Sequence, residues 1–205
     1  MILRIHPDNP DERRIRQAVQ ILEKDGVLVV PTDTVYSFAC ALGSARGLER
    51  VARLKGINPK EAKFSIACAD LSQLSNYSRP LDNALFKMMK RTLPGPYTFI
   101  VPANNNVPKW FAGKRKHIGI RVPNNNVLQA LVRELGKPLV VSSVRDEDEV
   151  IEYTTDPTLI AERFENQIDG IIDSGYGTID ASTVVDCTDE TPKILREGIG
   201  PSPLP

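Results

Sequence analysis

The sequence predicts a single α/β domain in which helices flank one twisted, mixed sheet. Short apolar runs typical of buried strands alternate with amphipathic stretches of helical period. A chain of 205 residues is long enough to bury one good core. Because no repeat or low-complexity linker interrupts it, we predict one domain over residues 1–200 and a flexible, proline-rich tail over 201–205.

The first elements are a short strand over residues 2–5 and a helix that starts at Pro10. Asn9 is the predicted N-cap of this helix, Glu12 stands at the capping-box position, and Gly26 ends it. The helical period then predicts a buried face made of Ile15, Ala18, Val19 and Leu22.

The remaining elements follow from the same two periods. The run VLVVP predicts a buried strand, Ser44 starts a helix that reaches about Lys55, and FSIACA predicts a strand followed by Asp70 as a helix cap. We further predict a helix over 83–93, a helix at VLQALVREL that Gly136 ends, and a helix over 155–164. The later strands are TFIVP, IGIRVP, PLVVSS, DGIID, STVVD and KILRE.

Composition limits the function classes. Lys plus Arg (26) equal Asp plus Glu (26), so the whole-protein charge offers no general attraction to nucleic acid or to an anionic membrane. Cys40, Cys68 and Cys187 lie in apolar runs without zinc-site spacing, which favours buried thiols in a reducing compartment. The N-terminus turns acidic and helical too early for a signal peptide, and no apolar run approaches a membrane span. We expect a cytoplasmic protein.

Several predicted strands end in Pro, Ser, Thr or Arg, as in VVPTDT, VVSSVR and ILREG. In open α/β sheets ligands bind outside strand ends, so these polar residues would line one cleft. Turn chemistry alone explains each strand end equally well, and the sequence leaves this alternative open.

The residues near these strand ends are suited to binding anions. Lys55, Lys60 and Lys63 surround KGINPKEAK, and short hydroxyl donors stand at Ser143, Ser182 and Thr183. Arg121 and Arg196 lie in apolar strands, where a buried charge needs a partner. Cations with small donors suit phosphate or carboxylate. No P-loop, dinucleotide fingerprint or HExxH motif is present, and both histidines are isolated, so we expect no hydrolase triad and no dedicated metal site.

The motifs PTDTVY, RLKG, PGPYTFIV, IGIRVP, KPLVVSS, STVVD and ILREG occur in this order along the chain. Together they resemble the YrdC family of threonylcarbamoyl-AMP synthases. The segments IHPDNPDERRIRQAV, LSQLSNYS and REGIG resemble its YciO-like branch. The resemblance implies a twisted α/β fold with a concave, positively charged cleft. It also implies a reaction of L-threonine, bicarbonate and ATP that forms threonylcarbamoyl-adenylate and pyrophosphate for tRNA modification.

The resemblance assigns roles to individual residues. Thr32 matches the family residue at the threonine site and Tyr36 lies on the same loop, while Lys63 and Arg121 are further candidates for substrate binding. The candidates for catalysis are Lys55 and Arg196. The candidates for nucleotide binding are Ser143, Arg145, Ser182 and Arg196. Mg²⁺ would bind to the ATP triphosphate, so the resemblance implies no dedicated metal site in the protein.

Two family signatures differ in this chain. Lys55-Gly56-Ile57 stands where the synthases have Lys-x-Arg, and Ser143-Val144-Arg145 stands where they have Ser-x-Asn. The positive charge missing at Ile57 therefore reappears at Arg145, directly before the acidic run DEDE. Because loss of a hydrogen bond to a charged group costs about 1.5–3 kcal/mol, we expect weak or altered synthase activity. Either Arg145 supplies the missing cation or it pairs with its acidic neighbours.

The competing hypothesis is a non-catalytic module that binds a nucleotide or double-stranded RNA. Its support is the run KWFAGKRKH, where Lys114, Arg115 and Lys116 accompany two aromatic residues that could stack a base. An ordinary basic loop with an aromatic anchor in the core explains the same run. The predicted partners are therefore a nucleotide and a small substrate, with tRNA or double-stranded RNA as an open alternative. We expect no membrane partner, and the sequence does not indicate the oligomeric state.

Overall fold

The computed structural model of the chain describes residues 1–59, 61–112, 116–144 and 152–204. Within these residues ten strands form one mixed sheet of order β1-β8-β2-β3-β7-β4-β6-β5-β9-β10. The strands are β1 (Ile2–Arg4), β2 (Leu28–Val30), β3 (Ser37–Ala41), β4 (Ser65–Ala67), β5 (Tyr97–Pro102), β6 (His117–Arg121), β7 (Leu139–Ser143), β8 (Gly170–Asp173), β9 (Thr183–Asp186) and β10 (Lys193–Arg196). The predicted single-domain α/β fold is confirmed.

Seven helices flank this sheet in the described residues, and a short 3₁₀ turn over Glu152–Thr155 precedes the last of them. The helices are α1 (Glu12–Glu23), α2 (Ala45–Leu54), α3 (Leu71–Ser75), α4 (Asn83–Thr92), α5 (Lys109–Ala112), α6 (Asn126–Leu135) and α7 (Pro157–Arg163). Three of the predicted caps are confirmed. Ser44 Oγ accepts from Gly47 N at 2.8 Å, Asp70 Oδ1 accepts from Gln73 N at 2.8 Å, and Gly136 ends α6 with φ 72°.

The predicted start of α1 is wrong by two residues. Asp11 is the N-cap, since its Oδ1 accepts from Arg14 N at 2.9 Å, so Asn9 and Pro10 precede the helix. Asp caps as well as Asn, and its negative charge is also favourable at the positive end of the helix dipole. The predicted apolar face is confirmed, because the buried residues of α1 are Ile15, Ala18, Val19 and Leu22.

The two faces of the sheet are covered differently. One face packs against α2, α4 and α7 in a core that includes residues from most strands. The other face packs against α1 and α6, and this second core takes strand residues from β1, β8, β2, β3, β7 and β4. No buried residue of β5, β6, β9 or β10 belongs to this second core among the described residues. The helices of the described residues therefore leave about half of that face uncovered.

All three cysteines are buried free thiols. Burial raises the pKa of the Cys40 thiol to about 12 and that of the Cys187 thiol to about 12, and it raises the pKa of Cys68 further. An unfolded thiol has a pKa of about 8.5. Above that pH the unfolded chain releases protons that the folded chain keeps, so the folded state loses stability as the pH rises toward 12.

We predict that the free energy of unfolding falls by about 1.4 kcal/mol per pH unit for each buried thiol above pH 9. Urea denaturation at pH 9 and pH 10 under reducing conditions measures this slope. Because Cys40→Ala removes one thiol, the variant should show a slope shallower by that amount while other groups titrate equally. Equal slopes for the two proteins would contradict the prediction.

The predicted flexible tail contacts the domain as far as residue 204. Tyr97 Oη donates to the Pro201 carbonyl at 3.0 Å, Arg91 Nη2 donates to the Pro203 carbonyl at 2.8 Å, and Leu204 packs against the first core. Flexibility of the segment stays a prediction. In the part of the chain that the structure describes, none of the helices has the length and apolar character that crossing a bilayer requires.

Candidate functional site

A cleft of about 1440 Å³ occupies the uncovered half of the second sheet face. Side chains of neighbouring strands form its floor, and one row crosses five strands in register. This row comprises Val141, Ser65, Gly119, Ile100 and Asp186. Pockets for single small ligands usually measure about 300–1,000 Å³, so the cleft has room for a nucleotide together with a small second ligand.

Gly119 keeps the centre of this floor flat. A Cβ added there would lie 2.5 Å from Ser65 Oγ and 3.2 Å from Thr98 Cγ2. Real Cβ atoms do not approach so closely, so the strands β4, β6 and β5 pack with no side chain at this point. The floor therefore combines small polar groups with an apolar surface.

Arg121 is a buried cation at the end of β6 that lines the cleft. Its side chain is 8% exposed, and Nη2 lies 2.9 Å from Asp33 Oδ1 and donates to Thr34 Oγ1 at 2.9 Å. Burial lowers the pKa of the Arg121 guanidinium, and the nearby Asp33 charge opposes this shift. Nε is buried and has no hydrogen-bond partner among the described residues. An unpaired buried donor is costly, so this atom is a candidate contact for an acceptor oxygen of a ligand.

The loop 31–36 connects β2 to β3 and holds itself against the β6–α6 connection. Thr32 Oγ1 donates to the Val35 carbonyl at 2.9 Å and accepts from Thr34 N at 2.9 Å. Asp33 Oδ2 accepts from Asn124 N at 2.8 Å. Thr34 and Val35 line the cleft, whereas Thr32 does not, and the Thr32 hydroxyl is hydrogen-bonded inside the turn. The structure thus does not bring the predicted substrate residue Thr32 to the cleft surface.

The structure also does not bring Tyr36 to the cleft. Side chains alternate along an extended chain, so Val35 and Ser37 face the cleft and Tyr36 points into the core on the opposite face. The Tyr36 side chain is buried, its Oη donates to the Gly175 carbonyl at 2.7 Å, and burial raises its pKa. Tyr36 therefore anchors the segment after β8 and has no direct access to a ligand in the cleft.

A hydrogen-bonded group on β5, β9 and β10 forms another part of the wall. Arg196 donates to the Ser182 carbonyl from Nε at 3.2 Å and from Nη2 at 3.0 Å. Nη2 also lies 3.3 Å from Ser182 Oγ, which is 2.8 Å from Thr98 Oγ1. Thr98 and Ser182 are buried, while Arg196 is exposed. This arrangement fixes a hydroxyl pair beneath an accessible cation, which suits an anionic ligand.

Seven of the predicted residues line this one cleft. They are Lys55, Lys63, Lys116, Arg121, Ser143, Ser182 and Arg196. The lining also contains three acidic residues, Asp180, Asp186 and Glu197, so the predicted positive potential stays a prediction. In the described ranges, no group of three or more His, Cys, Asp or Glu residues is placed to hold a metal ion.

Some predicted residues cannot be placed. Lys60, Lys114, Arg115, Arg145 and the acidic run 146–149 lie outside the described residues. Ile57 is described, lines the cleft and is 40% exposed, so an apolar side chain occupies the wall where the family motif has a cation.

The sequence interpretation missed three residues of the site. Asp33 and Thr34 hold Arg121, and Thr98 pairs with Ser182. Strand alternation could have identified Thr98, because it shares a face with Ile100 on β5. No local signal connects Asp33 to Arg121, which is far from it in the sequence.

The Sua5/YciO/YrdC family model, described as telomere recombination, matches residues 20–198. The chain belongs to this family. Its sequence is 44% identical over 198 residues to the uncharacterised protein YciO of Escherichia coli strain K12, covering 96% of this chain and 94% of that protein. It is 30% identical over 194 residues to the threonylcarbamoyl-AMP synthase of Bacillus subtilis strain 168, covering 92% of this chain and 54% of the synthase.

Solved structures of this family share the fold. The crystal structure of E. coli YciO superposes with a TM-score of 0.92 at 42% identity and covers 100% of this chain and 98% of YciO. The structure of P. abyssi Sua5 complexed with L-threonine gives a TM-score of 0.86 at 25% identity. That match covers 97% of this chain and 57% of Sua5. The Sua5/YciO/YrdC member described here is thus similar to YciO over nearly its whole length and to part of the longer Sua5.

Proposed function

We propose that this family member binds ATP or AMP together with L-threonine in the cleft and acts as a weak or altered threonylcarbamoyl-AMP synthase. This proposal rests mainly on Arg121, which is buried and whose Nε–H lacks an acceptor among the described residues. A substrate carboxylate would supply that acceptor through a charge-assisted hydrogen bond. The relation to threonylcarbamoyl-AMP synthases and to a Sua5 complexed with L-threonine supports threonine as this substrate.

The nucleotide would occupy the wall formed by Ser143, Ser182 and Arg196, with Lys55 near its phosphates. In the proposed reaction, the carbamate formed on the threonine amine attacks the α-phosphate of ATP and pyrophosphate leaves. In such a nucleotidyl transfer the protein mainly positions the reactants and neutralises the charge of the phosphates, and cations on several strands can do both. Mg²⁺ would arrive with the triphosphate as part of the substrate.

Ile57 gives the physical reason to expect a low rate. It lines the cleft and contributes no charge where the family motif carries arginine. We predict slow, threonine-dependent release of pyrophosphate from ATP in the wild-type protein. Adding the cation by Ile57→Arg should raise the rate about tenfold or more, because a hydrogen bond to a charged group contributes about 1.5–3 kcal/mol.

A coupled pyrophosphate assay, with threonine or bicarbonate omitted in parallel, tests this function. Ile57→Met is the matched control, since it keeps an apolar side chain of similar length and should leave the rate unchanged. A wild-type rate equal to that of an ordinary family synthase would refute the expected weakness. Release that is independent of threonine would refute the reaction itself.

The second candidate is a non-catalytic module for nucleotides or double-stranded RNA. Trp110 is 41% exposed on α5, and Phe111 and Lys116 line the cleft. An exposed aromatic side chain suits base stacking, and a cation that lines the cleft suits a phosphate. Binding of duplex RNA that weakens with salt, and weakens in the Trp110→Ala variant, would support this candidate. Unchanged binding in Trp110→Ala would remove its support.

A further inference from the structure

Asp33 is an acidic residue with a nearly buried side chain, and both of its carboxylate oxygens accept hydrogen bonds. Oδ1 lies 2.9 Å from Arg121 Nη2, and Oδ2 accepts from Asn124 N at 2.8 Å. The side chains of Asp33 and Arg121 are each 8% exposed. The carboxylate therefore joins the loop 31–36, the guanidinium and the start of the β6–α6 connection in one rigid unit.

These contacts determine how the guanidinium is held. The same nitrogen, Arg121 Nη2, donates to two acceptors, Asp33 Oδ1 and Thr34 Oγ1, at 2.9 Å each. A planar group held at this end cannot rotate without losing both contacts, so the position of Nε is fixed as well. Fixing a long side chain before the ligand arrives avoids the loss of its rotamer entropy when binding occurs.

We propose that Asp33 is a positioning residue that orients Arg121 so that its Nε–H meets the carboxylate of the amino-acid substrate. This inference rests on the proposed function for the identity of the substrate. Asp33 itself does not line the cleft, so it acts through Arg121 and not by touching the ligand. Its charge also opposes the effect of burial, which lowers the pKa of the Arg121 guanidinium.

The chain offers a matched control elsewhere in the fold. Asp169 Oδ2 accepts from Arg50 Nη1 at 2.6 Å and from Val27 N at 2.7 Å, so it also joins an arginine to a backbone N–H. This pair does not line the cleft. Asp169→Asn therefore removes an arginine–aspartate pair away from the cleft, although this pair is more exposed, at 33% for Arg50 and 39% for Asp169.

The test compares Asp33→Asn with Asp169→Asn by titration calorimetry using L-threonine and ATP as separate probes. Asp33→Asn should weaken threonine binding at least tenfold and change ATP binding less than twofold, while Asp169→Asn should change neither. In an Arg121→Lys background, adding Asp33→Asn should cause less than a further twofold loss. Wild-type threonine affinity in Asp33→Asn, or losses that multiply in the double variant, would overturn the proposal. Should Asp33→Asn fail to fold, Asp33→Glu keeps the charge but moves the carboxylate, and the same loss is expected.

A second measurement separates this inference from the proposed function. In a ¹H–¹⁵N spectrum of the free protein, the Arg121 Nε–H signal is assigned by its absence in Arg121→Lys. It should be sharp in the wild type and in Asp169→Asn, and broadened or lost in Asp33→Asn. If threonine does not bind the wild type, the proposed function fails, and this spectrum still decides the role of Asp33. A sharp, unshifted signal in Asp33→Asn would overturn that role.

Discussion

Replacing Arg121 by methionine is expected to lower the free energy of unfolding by about 3–5 kcal/mol, because it leaves the Asp33 carboxylate buried without its cation. The pair lies at 2.9 Å with both side chains 8% exposed, so water cannot replace the lost partner easily. The same variant should show no threonine binding, since the candidate carboxylate contact is gone. Urea denaturation gives the first quantity and calorimetry gives the second.

The double variant Arg121→Met with Asp33→Asn serves as the control for this prediction. Replacing both members of a buried pair removes the uncompensated charge and is often close to neutral. The amide of asparagine can still accept from Asn124 N. We therefore expect most of the stability to return while threonine binding remains absent. A loss below about 1 kcal/mol in the single variant would show that the pair is solvated in solution.

Arg196→Gln is expected to weaken binding of ATP by about 10- to 150-fold, which corresponds to the loss of a hydrogen bond to a charged group. The change also removes the guanidinium that donates to the Ser182 carbonyl. Lys193→Gln on the same strand is the matched control, since Lys193 pairs only with exposed Asp189 at 3.4 Å among the ion pairs described. Equal affinities of Arg196→Gln and Lys193→Gln for ATP would contradict the assignment of Arg196 to the nucleotide wall.

The helices were predictable because their signals are local. Caps at Ser44 and Asp70 and the apolar face of α1 depend on residues within a few positions of one another. Strand β3 (Ser37–Ala41) was not predicted. Its evidence is pairing with β2 and with the distant β7, which a single sequence does not display.

The candidate site was predictable to a similar extent. Arg121 and Ser182 reach the cleft because extended chains carry their alternate side chains to one face. Alternation does not explain Arg196, because the register of β10 shifts between Ile194 and Arg196. The same alternation excludes Tyr36, and applying it to Val35 and Ser37 would have corrected that prediction. The contact of Asp33 with Arg121 could not be predicted, because it depends on where the loop 31–36 crosses the sheet.

Calorimetric titration of the wild-type protein with ATP, AMP and L-threonine tests the central claim that this cleft binds a nucleotide and an amino acid. We expect saturable heat with ATP or AMP and with L-threonine, loss of the threonine signal in Arg121→Met/Asp33→Asn, and weakening of the nucleotide signal in Arg196→Gln. Absence of heat from every nucleotide and from threonine at millimolar concentration would contradict it.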